Sequence, residues 1–243
     1  MQLEELSAKY NIEKDKLLDI KKNINNKDVL LYAMSGKMGS GKDTVGNKIY
    51  EKLKEKEYSL KNLSYSELMK NEMNQITSLF NKTNDVDKVA KEMNAKKEEI
   101  SKFLELLNNQ SIYERTPEAR NAIQFWGTNV RRKQNSNYWI TKLSQEISKN
   151  LADGYSVYVS DVRFENEADS ILNLGGKIIR LEANQFTRIE RIKQRDNLVP
   201  SDSQLNHSSE VSLDNYNFER IFDGKLHPNY IRNQAIKYIL TGE

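Results

Sequence analysis

The chain has 243 residues, of which 37% are hydrophobic and 30% charged, a composition that supports one substantial folded core and lies outside the disordered class. Lys plus Arg total 38 against 35 Asp plus Glu, and this near balance argues against a surface devoted to nucleic acid while permitting a local phosphate pocket. The absence of cysteine and the presence of only His207 and His227 exclude disulfides, thiolate metal sites and a histidine-built metal centre. No apolar run reaches the roughly 18–20 residues that span a bilayer, and the acidic start of the chain lacks a hydrophobic signal core; the expected location is cytoplasmic.

In chain order, the apolar run 29–34 ends at Ser35-Gly36 and predicts a strand buried on both faces, as in a parallel sheet. Val45, Ile49 and Leu53 then recur at helical spacing, predicting a helix over 42–56. A second strand is expected near 60–65, followed by a helix through Leu68, Met69, Met73 and Ile76. The pattern over 118–149 is helical, with breaks expected around Gly127-Thr128 and 135–137. A third strand over 155–160, a helix over 165–174, the Gly175-Gly176 stop and a fourth strand over 177–181 follow. A fifth short strand is expected near 218–222. Alternation of strands and helices predicts an α/β three-layer sandwich with a parallel sheet.

Residues 6–20 align without gaps on 89–103, with apolar positions coinciding at 6/89, 10/93, 17/100 and 20/103 and Asn11 matching Asn94. Each stretch predicts a short helix, an Asn turn in the left-handed conformation and a second helix. One reading is a pair of DNA-touching helix-turn-helix modules. The other is two amphipathic hairpins that pack on the core or on each other, and the even charge favours this one.

The densest chemistry is at Gly36-Lys37-Met38-Gly39-Ser40-Gly41-Lys42-Asp43-Thr44. Gly36, four residues, then Gly41-Lys42, placed between a strand and a helix, is the context that a Walker A phosphate loop requires. Gly36, Gly39 and Gly41 let backbone N–H groups close on phosphate oxygens, and the helix start adds its positive dipole end. Met38 and Ser40 complete the cradle, and Lys42 brings a charge to the β- and γ-phosphates of ATP. The strict pattern has Ser or Thr directly after the lysine, whereas this chain has Asp43 and then Thr44. Thr44 is the candidate for Mg²⁺ or α-phosphate contact. Asp43 either neutralises Lys42 or binds a metal water.

Beyond the third strand comes Asp161-Val162-Arg163-Phe164-Glu165-Asn166-Glu167, where ligands of open α/β sheets bind. Asp161 can hold Mg²⁺ through water or accept from substrate, and Arg163 can fork onto a phosphate. The segment 119–139 collects Arg120, Phe125, Trp126, Arg131, Arg132 and Trp139, residue types that stack on bases and grip phosphates, although each aromatic taken alone reads as core. Arg188, Arg191 and Arg195 share one helix face, either as a solvated basic stripe or as a lid that clamps transferring phosphates.

Together these clusters resemble the deoxynucleoside monophosphate kinases encoded by tailed bacteriophages. The resemblance runs through SGKMGSGKDT at 35–44, SYSELMK at 64–70, ARNAIQFWGT at 119–128, NYWI at 137–140, VSDVRFENEAD at 159–169, GGKIIRLEA at 175–183 and NHSSE at 206–210. Residues 1–28 and about 81–115 lie outside it, as an N-terminal helical extension and a helical insertion in a kinase domain over 29–243, with a lid at about 186–210. The resemblance implies a P-loop NTPase fold with a five-stranded parallel sheet of order 2-3-1-4-5 and transfer of the ATP γ-phosphoryl group, with Mg²⁺, to a deoxynucleoside 5′-monophosphate. It implies Lys70, Arg120, Gly127, Thr128, Trp139, Asp161, Arg163 and Glu167 around the monophosphate, with Arg132 as a phosphate neighbour. Lys42, Arg120, Asp161, Arg163, Arg188 and Arg191 are the expected catalytic set. The segment 64–70 lacks the proline that often precedes this lysine, and the His207, Ser209, Glu210 pattern has no assigned role. A homodimer, and host cytoplasm for a phage-encoded chain, follow from the same resemblance. Animal-type phosphomevalonate kinase shares the loop and the strand end and is the alternative acceptor class; a nucleotide-gated DNA-binding protein is the alternative outside enzymes.

Overall fold

Two helices, α1 (Leu3–Tyr10) and α2 (Lys14–Asn25), open the chain. Asn11 turns between them at φ 52°, the left-handed conformation expected of it. The computed structural model describes residues 2–197 and 199–243. The chain divides into two compact units, one made of the chain up to Ser64 together with Ile140–Glu243, the other of Tyr65–Trp139.

The first unit contains β1 (Leu31–Ser35), α3 (Lys42–Lys54) and β2 (Leu60–Leu63). The second contains α4 (Tyr65–Thr83), α5 (Val86–Glu92), α6 (Lys97–Leu107), α7 (Pro117–Gln124) and a π-helical run over Phe125–Arg132. Helix α8 (Tyr138–Ala152) begins at the division and continues into the first unit. The first unit then adds β3 (Ser156–Val162), α9 (Glu165–Asn173), β4 (Lys177–Glu182), α10 (Gln185–Asp196), α11 (Asp202–Leu205), α12 (Ser208–Val211), β5 (Ile221–Asp223) and α13 (Pro228–Thr241).

The five strands form one sheet in the order β2-β3-β1-β4-β5, and every pairing is parallel. This is the expected P-loop order, with β1 central and buried at all five positions. Leu30, Tyr32 and Met34 face the side where Val45, Ile49 and Leu53 of α3 meet Ile231, Ala235 and Ile239 of α13. Helix α9 packs over β1 and β4, giving three layers. Tyr32 and Tyr158 stack at 5.0 Å inside the first face, with both hydroxyls buried and without a hydrogen-bond partner among the described residues. Gly46 makes room for the Tyr158 hydroxyl, which a side chain there would strike.

Three expectations shift. The third strand extends two residues further, so Asp161 and Val162 belong to β3 rather than to the turn after it. The fifth strand starts at Ile221 instead of near 218, because Phe218 is buried against Arg180 rather than paired in the sheet. The break expected at Gly127-Thr128 is absent; the chain stays helical there with a wider π turn.

Both matched segments fold as helix, left-handed Asn and helix, Asn94 lying at φ 47°. Their shared apolar positions are all buried: Leu6, Tyr10, Leu17 and Ile20 in the first unit, Val89, Met93, Ile100 and Phe103 in the second. The similarity is therefore one of packing. Tyr10 accepts from Asn173 at 3.1 Å, and Phe103 lies 5.6 Å from the Trp126 ring. The expected insertion at about 81–115 lies within the second unit. No helix among the described residues is long and apolar enough to cross a membrane.

Candidate active site at the phosphate loop

Ser35 closes β1 and ties together three strand ends, donating to the Val162 carbonyl at 3.0 Å and accepting from Arg180 Nη1 at 3.1 Å. The loop then turns through Gly39 at φ 76° and Gly41 at φ 98°, the latter serving as the N-cap of α3. A Cβ on Gly39 would collide with the Arg188 carbonyl, so the loop requires glycine there for space as well as for conformation. Lys42 is the first residue of α3 and is only 7% exposed.

Lys42 Nζ lies 3.3 Å from Asp43 Oδ1. Of the two roles open to Asp43, this is the neutralising one, although its carboxylate remains largely exposed. Burial pulls the Lys42 ammonium below its ordinary range, and the like charge of Arg163 adds to the shift; Asp43 and Glu210 oppose it. Arg163 follows β3 directly. Burial lowers its affinity for a proton, but the carboxylates of Glu210, Asp161, Asp43 and Glu167 outweigh burial, and the net shift is upward. The cation at the start of α3 and the one directly after β3 are thus close enough to feel each other's charge.

The supporting carboxylates have distinct partners. Buried Glu167 accepts the backbone N–H of Arg163 at 2.7 Å and of Phe164 at 3.1 Å, fixing the first turn of α9 and the base of the arginine. Glu210 accepts from Arg163 Nη1 at 2.5 Å and from the Met38 N–H at 2.7 Å. The sequence marked Glu210 within NHSSE without indicating these contacts. Asp161 acts electrostatically on both Arg163 and the Tyr158 hydroxyl, which burial already pushes far up.

The three arginines of α10 divide by environment. Arg188 is buried, donating to the carbonyls of Ala183 at 3.2 Å and Met38 at 3.3 Å. Arg191 donates to Ser40 at 3.1 Å, Gly39 at 3.4 Å and Gly224 at 2.9 Å, clamping the loop to the turn after β5. These two guanidiniums brace the loop from outside. Arg195 is exposed, paired with Asp196 at 2.7 Å, and near enough to Asp43 to feel its charge.

The second unit carries the other expected residues. Trp139 is fully buried and donates its indole N–H to the Gly127 carbonyl at 2.9 Å; Gly127 itself lies against the sulfur of Met69. Trp139 therefore supports the π turn from inside. Thr128 and Arg132 sit on that turn partly exposed, and Arg132 Nη1 donates to the Ser136 carbonyl at 3.3 Å. Lys70 lies over the Tyr113 ring at 5.7 Å, and Arg120 is half-buried on α7, whose start Thr116 caps. The sequence did not single out Glu72, which accepts from Trp126, Arg131 and Tyr138 beneath this surface.

The loop suits an anion, because its Met38 amide and Arg163 already meet a carboxylate and Lys42 is buried beside them. For Mg²⁺, no group of three His, Asp or Glu side chains among the described residues could hold the ion alone. Thr44 stands exposed in the first turn of α3 and Asp161 near the end of β3; these are the residues whose oxygens would share the ion with phosphate oxygens.

No protein-family model matches the chain. No curated protein matches it either. Among solved structures it is similar to a gluconokinase from Sinorhizobium meliloti 1021, at 16% identity over 87% of this chain and 91% of that one, with a TM-score of 0.46. What the chain's own geometry establishes is a P-loop α/β fold with one cation, Lys42, at the start of α3 and another, Arg163, directly after β3.

Proposed function

We propose that this chain is an ATP-dependent phosphotransferase whose acceptor is a deoxynucleoside 5′-monophosphate. The observation that carries the phosphotransferase reading is the anion-binding set already formed at the loop: the Met38 N–H and Arg163 both hold a carboxylate, and buried Lys42 at the start of α3 is close enough to feel the charge of Arg163. Asp43 and Glu210 pair with these cations one by one, whereas a polyphosphate neutralises both at once.

In this reading an oxygen of the acceptor phosphate attacks the γ-phosphorus of ATP, and the bond from that phosphorus to the β,γ-bridging oxygen breaks, releasing ADP. The chain's work is placement and charge stabilisation. Lys42 and the loop amides hold the β- and γ-phosphates, and Arg163 draws off charge from the transferred group. Glu167 keeps Arg163 aimed by holding its backbone. Mg²⁺, when bound through Thr44 and the phosphates, supplies further charge neutralisation. No side chain needs to act as a general base, because the acceptor phosphate is already an anion.

The acceptor rests on sequence. The motif at 124–128, with Trp139 following, is the feature that favours a nucleotide over phosphomevalonate. Lys70, Arg120, Thr128 and Arg132 are the residues proposed to hold it. An assay coupling ADP release to a panel of dGMP, dTMP, dCMP, dAMP and phosphomevalonate tests this directly. Turnover with at least one deoxynucleotide is expected. Turnover with phosphomevalonate alone moves the chain to the other acceptor class, and the absence of ADP release with any acceptor ends the kinase reading.

A further inference from the structure

Helix α12 brings an acidic side chain into the phosphate loop. Glu210 is 6% exposed, and both of its carboxylate oxygens are engaged, one by the Met38 N–H at 2.7 Å and the other by Arg163 Nη1 at 2.5 Å. Its charge also reaches Lys42 and Arg188. A few residues on, Asp214 pairs with Lys37 at 2.7 Å, so adjacent loop residues hold the same stretch of chain twice.

These donors are the kinds that recognise a phosphate: a loop amide, a guanidinium and a neighbouring buried ammonium. Met38 has one amide hydrogen, and while Glu210 accepts it a nucleotide oxygen cannot. A carboxylate held there also repels any incoming polyanion at short range. We infer that Glu210 is a placeholder for a phosphoryl group, keeping Lys42 and Arg163 neutralised and Arg163 in position while the loop is empty, and that the 205–214 segment withdraws when a polyphosphate binds. This rests on the reading of the loop as a phosphate site.

The arrangement has a consequence for selection among anions. A lone phosphate offers little more than the carboxylate it would displace. A polyphosphate gains the loop amides, Lys42 and Arg163 together, so the placeholder favours it over small anions.

The test uses inorganic tripolyphosphate, titrated calorimetrically into the full-length wild type, Glu210→Gln and Lys42→Ala. The amide keeps the shape and the carbonyl acceptor for Met38 while removing the charge. Glu210→Gln is expected to bind about five- to tenfold more tightly, the size of relieving one partly screened like charge. Binding equal to or weaker than wild type overturns the inference. Lys42→Ala separates the two levels: if wild type binds and this variant does not, the phosphate site stands whatever Glu210→Gln does. If Lys42→Ala binds as wild type does, the loop reading fails and the placeholder with it. Hydrogen exchange on wild-type protein gives a second arm that needs no variant to fold. Amides of 205–214 are expected to exchange faster on adding tripolyphosphate; unchanged or slower exchange overturns the proposal.

Discussion

The carboxylate of Glu72 meets Nε of Arg131 at 2.5 Å, with both side chains almost wholly buried. The same carboxylate accepts from the Trp126 indole at 3.0 Å and the Tyr138 hydroxyl at 2.6 Å. Arg131 in turn donates to the carbonyls of Met93 at 2.6 Å and Asn94 at 3.1 Å, which the end of α5 leaves without helical partners. One ion pair thus joins α4, the π turn and the second helical hairpin. Glu72→Ala strands a buried guanidinium and is expected to cost about 3–5 kcal/mol. Adding Arg131→Ala to it should cost less than the two single changes summed. Denaturant melts of the two single variants and the double variant measure this, and strict additivity would contradict it.

Lys42 sets a pH dependence whose sign can be worked out. Its ammonium titrates near 10.5 when unfolded and lower when folded, chiefly through burial. Between those values the unfolded chain holds a proton that the folded chain lacks, so the lysine's penalty fades and ligand-free stability rises with pH across that window. Bound polyphosphate favours the charged form, so binding takes up a proton and affinity falls across the same window. Lys42→Arg stays protonated and should lose this limb. ATP titrations from neutral pH up to the ordinary lysine range check it: a wild-type profile as flat as that of Lys42→Arg would refute the assignment.

Two glycines should respond differently to alanine. Gly39→Ala sets a methyl against the Arg188 carbonyl in a left-handed backbone, so the loop must move and phosphate binding should fall at least tenfold. Gly46→Ala presses on the Tyr158 hydroxyl inside the core, an overpacking worth about 1–3 kcal/mol of stability. Comparing ATP affinity with melting temperature separates them: the first variant should lose mainly affinity, the second mainly stability.

The hairpin turns offer a smaller test. Asn11 and Asn94 hold left-handed backbones between helices that each bury one apolar face. Replacement by Ala should cost about 1 kcal/mol at either turn, while Gly should be close to neutral. Thermal melts of the four variants decide it, and tolerance of Ala equal to that of Gly would show that the turns relax.

Much of the sheet could be read from residues alone, because strands buried on both faces leave apolar runs, uninterrupted at 29–34 and broken by Arg180 within 178–181. β5 leaves a weak signal because it has three residues on an edge, with Ile221 and Asp223 exposed. Gly127 and Thr128 are poor helix formers and read as a break, but the contact with Met69 and the bond from Trp139 hold the segment helical. The loop, Asp161 and Arg163 were visible through spacing. Glu72 was not, since a buried glutamate and a solvated one look alike on a polar helix. Glu210 stood in a visible motif, but its partners Met38 and Arg163 are 172 and 47 residues away, beyond anything local pattern can reveal.

The central position of β1 also governs the order of assembly during synthesis. Leu31 pairs with Val157 and Tyr32 with Lys177, so a strand made early waits for both neighbours until most of the chain exists. In that interval its apolar run has no sheet to join, while Tyr65–Trp139 emerges as a continuous stretch rich in contacts among its own helices. Local contacts form fast and distant parallel pairing forms slowly. The nascent chain therefore carries a folded helical unit beside an unpaired hydrophobic strand, and that interval is when aggregation competes with the native fold.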